Sequence, residues 1–591
     1  MLKTIGAVLV AIFSLVSYYV YDLIQKRRQL DGLPQPPMKN LLLGHLHLAD
    51  ECSKLFKGLH PHVYANYLRS KYNLPEVFYI DWRPFGPLWV MFADPELASK
   101  YITTEQSLQK SLFETEYVDC VLGKGNMVTI EGAHHKFVRS MFNPGFSLNN
   151  IMSMAGQIVD DVVVFRNKLR KLAETNEWFQ MEEEATQLTI DVIGRLTFDV
   201  SLDCQKQPHK IARLFRQRLL LLGDQTSIFP WEDVSLTRPF KLWWNYRQLD
   251  KAINDELDAK ILRRANELSL DGKSSKKSSI DLALNAYEKE QAMGNIIGEK
   301  KGLEAIRIDA PHKLPASLRT DLNQSIKTFI FAGHDTSSSV ISWSFYLLHR
   351  YPECQAKVTE ELNTIFGVGS DIAEKIKTDP YLLNKCHYLT AIVKEAMRLF
   401  NPASTLRSVN GKLANQKTTL TDPKTGQTLP MLMSNNALWP LAHMIHRNTR
   451  FFPEPTKFVP ERFLPSQTPY PDAELFTPAG KDAFRPFEKG PRNCIGQELA
   501  MTEIKITLAI CVRDLDFVVE YPGEAPDPQP PIPESAAAEV AEGTEYGDAL
   551  RGAIKTGKPF VRRYEGHRTY QILKGSAKPD GGLPGRIYLR K

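Results

Sequence analysis

The chain has little cysteine. Seven residues in 591 (Cys52, Cys120, Cys204, Cys354, Cys386, Cys494 and Cys511) are scattered, odd in number and form no C-x-x-C pair. That excludes a disulfide-stapled secreted framework and a zinc ribbon, and it places the main body in a reducing compartment. Charge of one sign is also lacking. Lys and Arg total 74 against 68 Asp and Glu, a net of +6, and no basic run is interleaved with aromatics, so no nucleic-acid partner is expected. There is no internal repeat. No glycine-rich nucleotide loop follows a strand, since Gly123-Lys124-Gly125 reads as a plain loop, so no flavin or nicotinamide domain is expected. With 43% hydrophobic and 24% charged residues, the composition is that of a packed core rather than of collagen, a coiled coil or a disordered chain.

What is present begins at the N-terminus. From Thr4 to Tyr21 there is no charge, and the apolar character continues past Asp22 to Ile24. That approaches the roughly 20 residues a helix needs to cross a bilayer. Tyr18, Tyr19 and Tyr21 sit where an aromatic belt belongs, and Lys26-Arg27-Arg28 follows with only Lys3 ahead, so the rest of the chain is expected on the cytoplasmic side. No small-x-small cleavage site precedes the basic cluster, which argues against a removed signal peptide. The expected organisation is a transmembrane anchor over 1–25, a basic, proline-rich linker over 26–50 and one catalytic unit over 51–591. The linker is stiffened by Leu33-Pro34-Gln35-Pro36-Pro37. Six prolines between Pro522 and Pro533 mark 522–548 as a mobile insertion.

Within the body, 62–72 reads as a helix, and 77–82 and 88–92 as strands joined by Pro84-Phe85-Gly86-Pro87. Helical periodicity then dominates to about Pro402, strongest over 151–173, 183–200, 207–222, 238–268, 319–350, 353–366 and 386–400, while 271–279 reads as a polar loop. Residues 405–435 and 560–589 turn β-like. The fold class is mainly α (α+β), with small sheets at both ends of a helical body.

The strongest chemical signal is Phe487-Glu488-Lys489-Gly490-Pro491-Arg492-Asn493-Cys494-Ile495-Gly496. It is F-x-x-G-x-R-x-C-x-G, whose chance occurrence here is on the order of 10⁻⁴. One cysteine stands in a glycine-shaped turn just before the helix-like run 497–510, where free backbone N–H groups favour a thiolate. A lone thiolate suits an axial haem ligand better than a zinc site. The other six cysteines read as buried structural residues.

On this motif the chain resembles the cytochrome P-450 superfamily of haem-thiolate monooxygenases, along its length from anchor to C-terminus. Phe331-Ala332-Gly333-His334-Asp335-Thr336-Ser337-Ser338 resembles the family segment in the helix over the distal haem face. The resemblance implies that Gly333 leaves room for a diatomic ligand, that Thr336 opens a groove by bonding to a carbonyl one turn back, and that Asp335 serves proton delivery. Glu395 and Arg398, with Arg462 of Pro460-Glu461-Arg462-Phe463, match a network that locks the scaffold and does no chemistry. Gly132-Ala133-His134-His135-Lys136-Phe137-Val138-Arg139 is similar to the family's W-x-x-x-R helix with His135 in place of tryptophan. By that resemblance His135, Arg139, Arg407 and Arg492 bind the propionates of haem b, and Cys494 ligates its iron.

The family reading also implies single-pass residence in the endoplasmic reticulum membrane, with contact to lipid. Electrons would come from NADPH through a separate cytochrome P-450 reductase, with cytochrome b5 a further donor, docked near Lys136, Arg139 and Lys489. O₂ and a small apolar substrate would meet in a pocket built from 113–128, 222–235, 326–332, 402–407 and 569–578, with Phe229, Trp231, Phe329 and Leu406 on its wall. The tail, including Arg568-Thr569-Tyr570-Gln571, resembles fungal members that oxidise secondary metabolites such as polyketide mycotoxin precursors. Sterol, fatty-acid or xenobiotic substrates, a non-enzymatic membrane haem carrier or adaptor, and an isomerase or dehydratase that uses no O₂, are the alternatives. Gly333, Asp335 and Thr336 argue against the last of these.

Overall fold

The computed structural model describes residues 2–55, 58–207, 209–222, 235–270, 278–292, 307–409, 418–421, 428–431, 436–522, 564–565 and 567–590. The expected insertion at 522–548, all but its first residue, and the pocket residues Phe229 and Trp231 lie outside them.

The apolar run around Phe329 and Trp343 forms the helix Ala316–Arg350, called here the central helix. It begins after Pro315 and stops at Tyr351, where Pro352 disfavours helical backbone in the preceding residue. Most of its side chains are buried, so its periodicity is that of a core helix rather than of a half-solvated one. Met181–Phe198 packs along it, and Ala155–Thr175 and Gln497–Cys511 complete the layer beneath. The last of these is called here the cysteine helix. The other helices fall close to their expected spans, as Pro61–Lys71, Lys210–Leu221, Arg238–Leu270, Pro352–Phe366 and His387–Leu399. The expected helix over 151–173 is two, Leu148–Ser153 and Ala155–Thr175, parted at Met154.

A five-stranded sheet stands beside the helical body, in the order Val77–Asp81, Leu88–Phe92, Ala437–Pro440, Arg407–Ser408, Gln109–Lys110. Only the pair Leu88–Phe92 with Ala437–Pro440 is parallel. Trp82, Trp89 and Trp439 stack edge to face on one side of it, 5.4 and 5.0 Å between successive rings, an arrangement that suits aromatic quadrupoles. The C-terminal hairpin Gln571–Lys574/Ser576–Pro579 lies against the central helix. The last strand, Pro584–Leu589, pairs with Leu515–Val519 and Phe179–Gln180.

Two expectations need correction. The stretch 26–50 is built into the body instead of forming a linker. Tyr79 N–H donates to the Pro34 carbonyl at 2.9 Å, and Leu30, Leu33 and Met38 join a core cluster with Tyr79 and Val90. Among the other cysteines, Cys120 is exposed. Cys52, Cys204, Cys354, Cys386 and Cys511 are buried, and burial pushes each of these thiols up to about 12, which leaves them inert.

Candidate active site

The loop that carries Cys494 is shaped by backbone demands. Gly490 has φ +82°, and a Cβ there would lie 2.1 Å from the Thr103 carbonyl, so only glycine lets the loop press against the turn Ser99–Thr103. Cys494 N–H closes the loop on the Phe487 carbonyl at 2.9 Å, and Asn493 N–H donates to the Gly490 carbonyl at 3.1 Å. Arg139, on the helix Gly132–Phe142, clamps it by donating to the Asn493 backbone and side-chain oxygens at 2.7 and 2.8 Å. The sulfur opens only into an internal cavity and lies deep in the protein. Burial raises its thiol pKa, while the Gly496 N–H and Arg139 pull it down. A thiolate here therefore calls for a cation bonded directly to the sulfur.

That cavity, with about 1540 Å³ of space including its mouth, joins the cysteine loop to the central helix. Ala332, Gly333 and Thr336 line the wall that the central helix contributes, at the helical spacing i, i+1, i+4, and Phe329 and Thr328 extend it by a turn. Thr336 donates to the Ala332 carbonyl at 2.8 Å, as the sequence suggests. Gly333 lines the cavity, and packing makes a further demand on it. A Cβ on Gly333 would come 3.0 Å from Ile193, so Gly333 serves the close approach of Met181–Phe198 to the central helix.

Asp335 is not on the cavity wall. It is buried behind it, with one oxygen 3.2 Å from Lys578 of the C-terminal hairpin and the other without a partner. Lys578 also binds Glu182 at 2.5 Å and the Ser338 hydroxyl at 2.9 Å. Burial alone would lower Lys578, but the two carboxylates outweigh it and hold the ammonium above its ordinary value. In turn Lys578 brings the buried Glu182 down to about 2 against the pull of burial. The stretch 569–578 thus braces the back of the central helix; none of it lines the cavity. Of the other expected wall segments, 113–128, 326–332 and 402–407 do contribute, through Glu114, Met127, Val128, Phe329 and Thr405 among others. Leu406 packs toward the tryptophan cluster instead.

At one end the cavity is strongly cationic. His135 is buried and lowered to about 4, first by burial and then by Arg492, Arg139, Arg407 and Lys110 around it. It is a neutral imidazole among four cations. Arg492 donates to the Ile130 and Val128 carbonyls, both at 2.8 Å, and pairs with Glu131 at 2.9 Å. Arg407 donates to the Leu108 carbonyl at 3.2 Å from just behind the wall, and its Nε has no partner. Arg485, which sequence reasoning missed, lines the cavity. It holds Glu488 through Nε and Nη2 and the Thr103 hydroxyl through Nη2, while its buried Nη1 has no partner. Lys110 and Glu503 were missed as well. An i, i+4 pairing of Lys110 with Glu114 was visible in the sequence. Nothing marked Glu503, which lies in the interior of the cysteine helix, lines the cavity, and is raised to about 8 by burial.

Unpartnered guanidinium N–H groups buried in a crowd of cations are costly unless anions meet them. A flat porphyrin bearing two carboxylates would fit this end of the cavity that Cys494 also lines. Arg139 also lines the cavity, and its two bonds to Asn493 leave three guanidinium N–H groups for a carboxylate. Of the three expected docking residues, Lys136 is exposed, Lys489 is half-buried, and Arg139 is half-buried against the cysteine loop.

The scaffold network is closed. Glu395 accepts from Arg398 at 2.7 and 2.8 Å, from Arg462 at 2.9 Å and from Val459 N–H at 3.0 Å, and all three side chains are buried. Burial would raise Glu395, but the two guanidinium groups hold it below the usual carboxylate range.

Comparison with known proteins agrees with this geometry. The family model described as cytochrome P450 matches residues 34–538. The cytochrome P450 monooxygenase polC of Polytolypa hystricis is 31% identical over 589 residues, 99% of this chain and 94% of the relative. The monooxygenase acrF of Aspergillus aculeatus is 30% identical over 91% of this chain and 99% of its own length. The monooxygenase ptmJ of Penicillium ochrochloron is 26% identical over 87% and 90% respectively. A cysteine loop and a threonine-bearing central helix walling one cavity, with relatives matching from end to end, place this chain in the cytochrome P450 family.

Proposed function

We propose that the protein is a membrane-anchored haem-thiolate monooxygenase of secondary metabolism, which inserts one oxygen atom from O₂ into an apolar organic substrate. The observation that carries this reading is the single cavity with the Cys494 sulfur on one wall and Ala332, Gly333 and Thr336 on another. Bound haem supplies the O₂-binding and oxygen-transfer chemistry. Cys494 would hold the iron as a thiolate. His135, Arg139, Arg492, Arg407, Lys110 and Arg485 would hold the carboxylates of the ring. Phe329, Met127, Val128, Ile193 and Val340 exclude water and favour an apolar guest. The Thr336 hydroxyl, tied to Ala332 by its own proton, offers its lone pairs to a water or to a proton donor in the cavity. Asp335, one residue before Thr336, stands behind this wall in its pair with Lys578.

Membrane residence is supported by Thr4–Arg28, the one helix among the described residues long and apolar enough to cross a bilayer. Electrons come from a separate NADPH-dependent reductase, with cytochrome b5 a further donor. The secondary-metabolite assignment rests on the resemblance of the tail, with Arg568-Thr569-Tyr570-Gln571, to fungal members, and the two relatives at 30% identity or above are monooxygenases of fungi.

The test incubates the purified protein with reductase, NADPH and an extract of its host under ¹⁸O₂. Products heavier by one labelled oxygen are expected. Turnover without label would point to an isomerase or dehydratase, and a reduced, carbon-monoxide-treated protein without the thiolate Soret band would overturn haem-thiolate ligation.

A further inference from the structure

The apolar N-terminal helix, Leu2–Arg28, does not end in solvent. Leu23, Arg27 and Leu30 follow at i, i+4 and i+7, and all three are buried, while Lys26 and Arg28 between them are exposed. One face of the last turn is therefore seated on the body. Arg27 is wholly buried, and each of its three guanidinium nitrogens has a protein partner. Nε donates to Asp81 at 2.9 Å, Nη1 to the Leu41 carbonyl at 2.7 Å, and Nη2 to the Arg83 carbonyl. Gly44 (φ +56°) makes room: a Cβ there would lie 2.8 Å from the guanidinium. Asp81 sits at the end of the first strand and also accepts from Arg83 at 2.8 and 3.0 Å, so the socket belongs to the sheet. A basic residue at the end of a membrane span ordinarily reaches for headgroups and water. This one is committed to protein.

The Arg27–Leu41 bond has a geometric consequence. It holds the turn 41–43 beside the last turn of the helix, at the depth where the chain leaves the lipid. Leu41, Leu42 and Leu43 are 36%, 53% and 47% exposed, and Lys39 stands exposed next to them. Three adjacent exposed leucines are an apolar patch that needs a covering, and a neighbouring cation suits a phosphate surface. We infer that Leu41, Leu42 and Leu43 form a second contact with the same phospholipid bilayer, held in register with the spanning helix by Arg27 in its Asp81 socket. Two attachments fix the tilt of the body on the membrane, and with it the direction in which the cavity mouth faces. This rests on the membrane reading above.

The full-length protein in phosphatidylcholine nanodiscs tests it, with the photocrosslinking residue p-benzoylphenylalanine replacing Phe13, Leu42 or Val368. Phe13 lies within the span, and Val368, 84% exposed, is a control on a helix-end turn of the body. Lipid adducts at positions 13 and 42, several-fold above position 368, are the expected result. Adducts at 13 with none above control at 42 would overturn the second contact while leaving the anchor standing. No adduct at 13 would overturn both. Arg27→Met should then cut the adduct at 42 several-fold and leave that at 13 unchanged, since Asp81 keeps its bonds from Arg83. An unchanged adduct at 42 would overturn the role of Arg27. Should Arg27→Met fail to fold, Gly44→Ala, which crowds the guanidinium and leaves every charge in place, serves instead.

Discussion

Glu503→Gln isolates one buried carboxyl whose effect on stability has a definite sign. Burial raises Glu503 from 4.5 to about 8, because no cation compensates its desolvation. Between those values the folded protein holds a proton that the unfolded chain has released. Stability therefore falls as pH rises through the window, by about 1.4 kcal/mol per pH unit, and levels off above pH ~8. The span from 4.5 to about 8 sets a ceiling of roughly 5 kcal/mol, a large share of the ~5–15 kcal/mol that holds a domain together. Glutamine has nearly the same shape and does not ionise. The variant should thus gain on the wild type steadily from pH 5 to 8 and run parallel above it. Melting temperatures of both proteins across pH 5–9 measure the difference, since every other titrating group cancels. A protonated-carboxyl band in infrared difference spectra, present at pH 7 and absent from the variant, identifies the group. A stability difference that is flat from pH 5 to 8 would refute the reasoning.

Other expectations follow from the same geometry. Arg485→Met removes a buried charged donor facing the cavity. The loss of a charged hydrogen bond, about 1.5–3 kcal/mol, should weaken haem retention roughly 10- to 100-fold, read as transfer to an apoglobin acceptor. Retention equal to wild type removes Arg485 from the propionate site. Glu395→Gln leaves two buried guanidinium groups short of their counter-charge and should cost about 3–5 kcal/mol, seen as loss of soluble haem-loaded protein; normal yield and melting would contradict the network. Lys578→Met strands Asp335 and Glu182 in the interior. In the wild type, the stabilisation that the Glu182–Lys578 pair supplies is present above pH ~4.5 and lost as pH falls toward 2, about 3 kcal/mol in all, and the variant should lack that acid-dependent loss in denaturant titrations at pH 2–5. Gly490→Ala should abolish the thiolate Soret band, since its methyl would collide with the Thr103 carbonyl.

Local chemistry wrote much of this protein into its sequence. The cysteine loop, the Thr336 turn and the Glu395 pairing with Arg398 were legible because each is set by spacing within a few residues, and spacing fixes which groups share a helix face or a turn. The helices were legible for the same reason, to within a few residues at most ends. What escaped were contacts whose partners stand hundreds of residues apart. Lys578 reaches Asp335, and Arg485 reaches Thr103, only after the chain has folded. The packing demand on Gly333 stayed hidden because its neighbour Ile193 belongs to another helix. Arg27 read as a membrane-surface charge because nothing local announces Asp81. Hydrophobic periodicity says that a face is buried but never against what, and a charge's meaning depends on the dielectric and the counter-charges that packing brings to it. The sequence alone therefore determined the elements and the ligand-bearing loop. Tertiary packing decided which charges pair, which carboxyl keeps its proton, and how the membrane helix joins the body.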